Sequence, residues 1–524
     1  MSPGSSGTSS ALLVLLLAAL LLLVALSPVP LNHDSALLLQ CAQLLLKGNL
    51  PYVDFVELNP PMALYLHTIP AFIANVTGVS VIDIFQYLVA GYGLLSSLLL
   101  FLVIKRTGAF ETPTQRLLLI SAWILFSILV YASGSFGQRE HLFVLACIPW
   151  LVLRAARTSA ISFGRTVPWI IGILTGLTSS LKPHFLVILL AAELWLALRA
   201  KKFAYGNEIA IVCGIVFIYC AHFLWVPQSM RVALISRWIP FITSHYHVYD
   251  SPWKRVLFLD SIQRTLIPAG ILTAFAAIII AGRSLTELQR KLAQCLAAAA
   301  FAGVCTYIFQ QKPWFYHMIP FFAITGMGIA LIGIGINRNR AILGSIALGL
   351  TCLCLIFVVR RALNLSDDKR DYIDPLVSFI RHETAPTDRV TFIATNVYPT
   401  YPTAIYADRL PGTRYPVAFP IAMLYDAASS DSARYHTWSS ADPEEKRFLM
   451  ELGKDVVTKE PHLIFIDTSE CQGCPPLFKI SEYLEFIGWK KGFLEKYDKL
   501  EPIQQFEVYR RHVGEREERE YANR

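Results

Sequence analysis

The stretch that decides the fold is residues 27–61, SPVPLNHDSALLLQCAQLLLKGNLPYVDFVELNPP, which directly follows the first long apolar run of the chain. It carries three carboxylates, Asp34, Asp54 and Glu57. An ionisable group costs about 2.5–3.5 kcal/mol when it enters the hydrocarbon of a membrane, so carboxylates kept beside an apolar run indicate a functional site. We therefore expect this stretch to bring polar chemistry to the edge of a membrane.

Between the carboxylates, residues 35–47 have the pattern of a helix. Leucine and cysteine recur at helical spacing, Asp34 or Ser35 can cap the start, and Gly48 suits the end. We expect this helix to lie along the membrane interface, with an apolar surface and acidic residues at both ends. Such a helix is suited to chemistry on the polar head of a lipid.

The composition of the whole chain is that of a polytopic membrane protein. Of its 524 residues, 54% are hydrophobic and only 16% are charged, which is too apolar for a soluble globule. The formal net charge of +8 comes from short basic clusters between apolar runs. Clusters in that position set the orientation of membrane helices, so they do not indicate nucleic-acid binding.

Eleven apolar runs predict eleven transmembrane helices. The first has no positively charged segment before it, which favours a retained span over a cleaved signal peptide. Several runs are shorter than the ~20 residues that cross the hydrocarbon, so their outer ends are expected to line a polar cavity. The runs are 11–26, 83–104, 117–132, 141–153, 168–181, 185–198, 208–226, 265–282, 292–309, 317–335 and 341–359.

The loops between these runs alternate in kind. One set is short and basic, which predicts a cytoplasmic position. The opposite set therefore lies outside and carries polar and aromatic clusters, so we expect it to build one site on the outer face. Its members are the first loop, residues 133–141, 181–184, 227–264 and 310–317, and everything after Arg360.

Two domains are predicted. Residues 1–360 form a transmembrane catalytic domain with a large first outer loop at 27–82. The composition changes after Arg360, and residues 361–524 are expected to form a soluble α/β domain outside the cytoplasm. An amphipathic helix at 371–382 and strands at 389–395, 462–468 and 505–510 support that interpretation.

The acids of the first loop are the principal catalytic candidates. Transfer of a sugar to a hydroxyl needs a carboxylate that accepts the proton of the acceptor, and Asp34 fits that base. Glu57 precedes Asn59-Pro60-Pro61, a rigid turn that would fix its carboxylate. The alternatives are that Asp34 is only a helix cap and that Asp54, a candidate for substrate binding, is only a turn residue.

Residues 137–141, Gly-Gln-Arg-Glu-His, put a cation, an acid and an imidazole together. Arg139 can bind a phosphate with two parallel hydrogen bonds. Glu140 is a further catalytic candidate, and with His141 it would help to bind a divalent ion or the acceptor. The alternative is a structural pair between Arg139 and Glu140.

Two outer segments repeat a lysine before a proline, with a histidine nearby. Lys182 and Lys312 can neutralise a lipid phosphate, and Trp314, Tyr316 and His317 can shape a sugar pocket. The alternatives are lysine side chains that reach toward water and aromatic anchors at the interface. Cys471 and Cys474 have the spacing of a local disulfide in an oxidising compartment.

These motifs together resemble the GT-C superfamily of membrane glycosyltransferases, which includes protein mannosyltransferases, aminoarabinose transferases and lipopolysaccharide core galacturonosyltransferases. The resemblance rests on Asn32-His33-Asp34, on residues 47–54 leading to Asn59-Pro60-Pro61, and on residues 311–317 before a late span. It covers nearly the whole chain. It implies a GT-C type fold of about eleven transmembrane helices with a C-terminal soluble α/β domain.

The resemblance also implies a reaction. Asp34 would be the catalytic base, with Glu57 and Glu140 as further acids, and the donor would be a polyprenyl-phosphate sugar that is transferred with inversion to a lipid, glycan or protein acceptor. A divalent metal ion is a candidate cofactor. The expected location is a bacterial inner membrane, with the active site outside the cytoplasm. The rival interpretations are a transporter or lipid flippase, which also needs charges in the membrane, and a scaffold without activity.

Overall fold

The computed structural model describes residues 4–26, 29–250, 285–312, 314–336, 340–425 and 434–512. Its α-helices are α1 (Gly4–Leu26), α2 (His33–Leu46), α3 (Pro61–Thr77), α4 (Val81–Thr107), α5 (Pro113–Ala132), α6 (Arg139–Arg157), α7 (Thr166–Ser179), α8 (Phe185–Ala200), α9 (Asn207–Ala221), α10 (Gln228–Val232), α11 (Ile239–His245), α12 (Glu287–Gln310), α13 (Ile319–Ile336), α14 (Arg340–Glu383), α15 (Thr400–Ala407), α16 (Phe419–Leu424), α17 (Pro443–Lys459), α18 (Ile480–Phe486) and α19 (Trp489–Phe493). The strands are β1 (Arg389–Ile393), β2 (Leu410–Pro411), β3 (Leu463–Asp467), β4 (Tyr497–Ile503) and β5 (Phe506–Arg511). Short 3-10 turns lie at His222–Leu224, Tyr246–Tyr249 and Phe315–Met318, and a π-helical turn at Ala233–Trp238.

The apolar runs of the sequence coincide with helices. Every predicted span overlaps a helix of the structure except the one at 265–282, which lies outside the described residues. Within the described part, five helices are long and apolar enough to cross a membrane, and α7 and residues 10–25 of α1 are shorter apolar helices. The chain is therefore an integral membrane protein, while the count of eleven crossings stays a prediction.

The chain divides into two compact units. Unit 1 contains residues 1–31, 60–225 and 250–367, and unit 2 contains residues 32–59, 226–249 and 368–524. The last segment of unit 2 begins at residue 368, close to the predicted boundary at residue 360, but unit 2 also includes half of the first loop and a second loop segment. The two continuous domains at 1–360 and 361–524 stay a prediction.

Helix α6 forms the core of unit 1. Every residue from Arg139 to Ala156 is buried, and the helix contacts α4, α7, α8, α12 and α13. A helix that is enclosed on all sides needs partners for its charges, and α6 carries charges at both ends. The polar residues at its two ends are therefore the places where unit 1 can hold polar chemistry.

A five-stranded sheet forms the core of the C-terminal part of unit 2. The strand order is β2-β1-β3-β5-β4, with β2, β1 and β3 parallel and β5 antiparallel to both β3 and β4. Every residue of β3 is buried, and Leu376, Ile380, Phe392 and Phe506 pack in the same hydrophobic core. The three predicted strands are confirmed, and the sequence pattern missed β2 and β4.

The predicted helix of the first loop is present as α2, but its cap differs from the prediction. Asn32 is the N-cap, and its side chain accepts a hydrogen bond from the backbone N–H of Asp34 at 2.9 Å. The proposed cap at Asp34 or Ser35 is wrong because asparagine is a strong N-cap and starts the helix at His33. Asp34 therefore lies in the first turn of the helix and does not supply its cap.

Candidate functional site

Three predicted residues from distant parts of unit 1 meet in one buried cluster. Lys182 Nζ lies 2.5 Å from Glu140 Oε1 and 3.2 Å from His317 Nε2, and His317 Nε2 lies 3.7 Å from Glu140 Oε1. The side chains of Glu140, Lys182 and His317 are 1%, 10% and 4% exposed. Because a buried charge is costly without a partner, this ion pair is strongly fixed in place.

A tight turn before α6 positions the first part of this cluster. Gly137 has φ +77°, and a Cβ atom there would lie 2.5 Å from the ring of Phe85, so glycine is required on both counts. The backbone N–H of Gly137 donates to His141 Nδ1 at 3.1 Å. The turn thus fixes the start of α6, from which Arg139, Glu140 and His141 project.

Further basic groups surround the cluster. Arg139, His184 and Lys312 interact electrostatically with His317, in addition to Lys182 of the cluster itself. The pKa of His184 is lowered to about 3, chiefly by burial and then by the charges of Lys182 and Arg139. The cations Arg139, Lys182 and Lys312 near one buried glutamate are suited to binding an anion such as a phosphate.

Aromatic side chains lie beside the cations. Lys182 Nζ lies 5.4 Å from the ring centre of Tyr316, and Trp314 stacks on Tyr316 at 6.0 Å with an interplanar angle of 15°. The ring of His317 meets Tyr316 edge-on at 4.5 Å. Stacked aromatic faces next to cations suit a ligand that combines a sugar ring with a phosphate.

The hydrogen-bond partners assign the tautomers of the neutral histidines. Lysine can only donate, so Lys182 donates to His317 Nε2 and the ring proton of His317 is on Nδ1. The N–H of Gly137 donates to His141 Nδ1, which leaves the proton of His141 on Nε2. Each histidine therefore has one N–H to donate, His317 through Nδ1 and His141 through Nε2.

Several polar atoms of this cluster have no hydrogen-bond partner within the described part of the chain. They are Glu140 Oε2, His141 Nε2 and His317 Nδ1, and each atom is buried. Buried polar atoms in folded proteins are almost always satisfied by protein, water or ligand. Glu140 Oε2 and His317 Nδ1 of the cluster thus offer one acceptor and one donor to a bound polar group, and the neighbouring His141 has a further buried donor.

Lys312 lies in the predicted outer segment and forms an ion pair with Asp250, an acid that the sequence did not single out. Burial lowers the pKa of Lys312, and the hydrogen bond and charge of Asp250 oppose that effect. No periodic pattern marks Asp250, so sequence reasoning had no signal for this contact.

Sequence reasoning also missed His67 in α3. Its side chain is buried, its Nδ1 lies 2.6 Å from the carbonyl oxygen of Ala63, and it stacks on Phe85 at 5.2 Å. A carbonyl can only accept, so the proton is on Nδ1 and Nε2 is left as an acceptor that receives no hydrogen bond from the described residues. His67 also interacts electrostatically with Arg139. A single histidine in an apolar helix gave no sequence signal of this position.

In unit 2, the predicted base Asp34 lies in the first turn of α2. Its Oδ1 is 3.5 Å from His33 Nε2, and its side chain is 17% exposed, so it is reachable by solvent. The positive end of the helix dipole favours the ionised carboxylate at such a position. Asn32, and not Asp34, supplies the cap of this helix.

The other two acids of the first loop differ from each other. Glu57 is buried, and its Oε1 accepts hydrogen bonds from the backbone and side-chain nitrogens of Asn59, as the rigid turn predicted. Asp54 is exposed, and its Oδ2 accepts from the backbone N–H of Leu50 at 2.8 Å. Asp54 therefore has the geometry of a turn residue, which was the alternative interpretation.

The expected metal ion has no obvious set of ligands. Among the described residues, no group of three or more His, Cys, Asp or Glu side chains is placed to hold a metal ion. The metal requirement stays a prediction. Cys471 and Cys474 form a disulfide, as their spacing predicted.

Comparisons with known proteins identify the fold. No protein-family model matches the chain, and no curated protein matches it. The chain is similar to two solved structures of ArnT from Cupriavidus metallidurans. The structure bound to undecaprenyl phosphate has 11% identity and a TM-score of 0.57, and the apo structure has 10% identity and a TM-score of 0.58. Each match covers 95% of this chain and 98% of ArnT. At this identity the likeness shows the fold, and it confirms the expected GT-C fold class.

Proposed function

We propose, from the GT-C fold that this chain shares with ArnT, that it is a membrane glycosyltransferase that uses a polyprenyl-phosphate sugar as donor. The observation that carries the proposal is the buried cluster of Glu140, Lys182 and His317 in a chain of that fold. A structural neighbour bound to undecaprenyl phosphate supports the same class of lipid for this chain. The transferred sugar is a hexose or a pentose, and the acceptor is a lipid, a glycan or a protein.

In the proposed reaction, an acceptor hydroxyl attacks the anomeric carbon of the donor sugar. The bond from that carbon to the phosphate oxygen breaks, and polyprenyl phosphate leaves with the bonding electron pair. Asp34 accepts the proton of the hydroxyl, and attack from the face opposite to the phosphate inverts the anomeric centre. The partly solvent-accessible position of Asp34 in the first turn of α2 supports this role. Glu57 is the next candidate for the base.

The cations have the second role. Negative charge develops on the leaving phosphate, and Arg139, Lys182 and Lys312 are proposed to stabilise it. Lys182 is suited to this because Glu140 and His317 hold its Nζ in one position, so little reorganisation is needed. Trp314 and Tyr316 are proposed to stack on the sugar, with hydrogen bonds from His141 and His317.

Glu140 acts in this scheme chiefly as a positioning residue. Its Oε1 is occupied by Lys182, so only Oε2 remains for a ligand. Because one of its oxygens is already bound, Glu140 is better suited to orienting Lys182 and accepting one hydrogen bond from a ligand than to removing a proton from the acceptor. The site is proposed to open to the outer face of a bacterial inner membrane, and the C-terminal domain to lie outside as well.

A product assay tests the proposal. Purified protein in nanodiscs would be incubated with a panel of polyprenyl-phosphate sugars and candidate acceptors, and glycosylated acceptor would be detected by mass spectrometry. The expected result is equimolar formation of glycosylated acceptor and polyprenyl phosphate with at least one donor. Movement of the intact donor across the membrane without cleavage would contradict the proposal and favour a flippase.

A further inference from the structure

A second pocket, lined by apolar and basic residues, lies in unit 1 at the opposite end of α6 from the Glu140 cluster. The two ends of this helix are about 28 Å apart, close to the thickness of the hydrocarbon of a membrane. The walls of the pocket come from the ends of α6, α8 and α12. Its lining residues are Thr158, Trp195, Leu196, Arg199, Ala200, Lys291 and Gln294.

The pocket is basic. Arg199 is exposed and makes no hydrogen bond or ion pair within the described residues, so its guanidinium group is available to a ligand. Lys291 donates to Ser159 Oγ at 3.2 Å and pairs with Glu287 Oε1 at 3.0 Å. Arg199, Arg290 and Lys291 all interact electrostatically with Glu287, which is the one acid among them. The balance of charge therefore favours an anion.

The surface below the pocket is apolar. Leu190, Leu194 and Leu198 follow one another at a spacing of four residues along α8 and are 65%, 61% and 67% exposed. At that spacing they form a continuous stripe that ends next to Arg199. Trp195 lines the pocket and is 42% exposed, as is typical of aromatic residues at the boundary between lipid and water.

We propose that this pocket binds the phosphate group of an anionic phospholipid, with an acyl chain of the same lipid along the stripe of Leu190, Leu194 and Leu198. Basic pockets between transmembrane helices are known sites for anionic headgroups. Arg199 and Lys291 would bind the phosphate oxygens, while Gln294 and Thr158 would contact the polar part of the head. The combination of a cationic pocket and an apolar stripe fits a lipid better than a soluble anion.

The test is lipid binding by native mass spectrometry, with phosphatidylglycerol and phosphatidylcholine as the two probes. Wild type would be compared with the double variant Arg199→Gln/Lys291→Gln. The control is Lys105→Gln/Lys202→Gln, which loses the same charge at exposed positions outside the pocket. We expect wild type and control to bind phosphatidylglycerol equally. The pocket variant should bind it about 30-fold more weakly, from about 1 kcal/mol for each cation.

Three outcomes would overturn the proposal: equal binding of phosphatidylglycerol by the two double variants, equal binding of both lipids by wild type, and displacement of the lipid by millimolar inorganic phosphate alone. The last would identify a site for a soluble anion. The single variant Arg199→Gln separates loss of binding from misfolding. The side chain of Arg199 makes no hydrogen bond within the described residues, so its replacement should not disturb the fold. It should lower lipid binding without changing the melting temperature of lipid-free protein.

Discussion

Lys182 Nζ is 2.5 Å from Glu140 Oε1, and both side chains are almost completely withdrawn from solvent. The two residues are 42 positions apart in sequence, and His317 joins them from 135 positions beyond Lys182. A buried pair of this kind is costly to assemble and costly to break, so it makes definite predictions about stability and binding.

The first prediction concerns stability. Glu140→Gln leaves the ammonium group of Lys182 buried without its counter-ion and should lower the free energy of unfolding by about 3–5 kcal/mol. Adding Lys182→Met removes the uncompensated charge, so the double variant should be more stable than Glu140→Gln alone. Thermal unfolding in detergent measures both variants. If the loss of stability in the double variant equalled the sum of the losses caused by the two single substitutions, the coupling of the two residues would be contradicted.

The second prediction concerns the lipid phosphate. If Lys182 binds it, Lys182→Gln removes a charge-assisted hydrogen bond of about 1.5–3 kcal/mol, so the affinity for undecaprenyl phosphate should fall about 10-fold to 100-fold. Fluorescence titration with the lipid measures the dissociation constant. Lys105→Gln, at an exposed helix end, is the matched control and should bind as wild type does. An unchanged affinity in Lys182→Gln would remove this lysine from the phosphate site.

The third prediction concerns the other end of α6. Glu208 is fully buried and accepts hydrogen bonds from Arg154 at 2.7 Å and from Arg157 at 3.1 and 3.2 Å. Glu208→Gln should therefore cost about 3–5 kcal/mol of stability. Glu287→Gln breaks an exposed pair with Lys291 and should leave the melting temperature unchanged. Equal melting temperatures of the two variants would show that the buried network does not stabilise the fold.

The fourth prediction concerns pH and two acids of unit 2. Burial raises the pKa of Asp455, but the hydrogen bonds and charge of Arg414 outweigh that effect and hold it below the ordinary 3.8. Its stabilising contribution is therefore present above pH 3.8 and lost as the pH falls through the lowered pKa. Asp455→Asn should have a lower free energy of unfolding than wild type at pH 7. This difference between the two proteins should decrease as the pH falls below 3.8.

Asp467 provides the opposite case. Burial raises its pKa, and its Oδ2 has no hydrogen-bond partner among the described residues. Such a group favours the folded state below pH 3.8, and that contribution is lost as the pH rises through the raised pKa. Asp467→Asn keeps the acceptor that binds Ser469 and Gln505, so it should be more stable than wild type at pH 7 but not in acid. Melting temperatures measured between pH 3 and 8 test both acids. If the melting temperatures of the two variants depended on pH in the same way, the opposite pKa shifts of Asp455 and Asp467 would be contradicted.

The sequence predicted the membrane helices because a span must hide its backbone in hydrocarbon and therefore needs a long apolar run. The strands β1 and β3 were equally visible because both are buried and rich in β-branched and aromatic residues. The candidates Glu140, Lys182 and His317 were also found, since charges next to apolar runs are conspicuous. These local patterns do not predict which residues that are far apart in the chain contact one another.

The misses have the same cause. Arg154 and Arg157 look like orientation signals beside a span, yet Arg154 is buried between Glu193 and Glu208. His67 and Asp250 carry no local pattern at all. The cap of α2 was misassigned because Asn32, Asp34 and Ser35 are all good caps, and only the backbone decides among them.

The measurement that tests the central claim most directly is the release of polyprenyl phosphate from a polyprenyl-phosphate sugar in the presence of acceptor, with wild type and Asp34→Asn compared. Removal of a general base typically costs about 100-fold to 10,000-fold in rate, so we expect that loss in Asp34→Asn with an unchanged melting temperature. Asp83→Asn, in the first turn of α4, is the matched control and should release product at the wild-type rate. An Asp34→Asn variant as fast as wild type would contradict the account and move the base elsewhere, with Glu57 next to be tested.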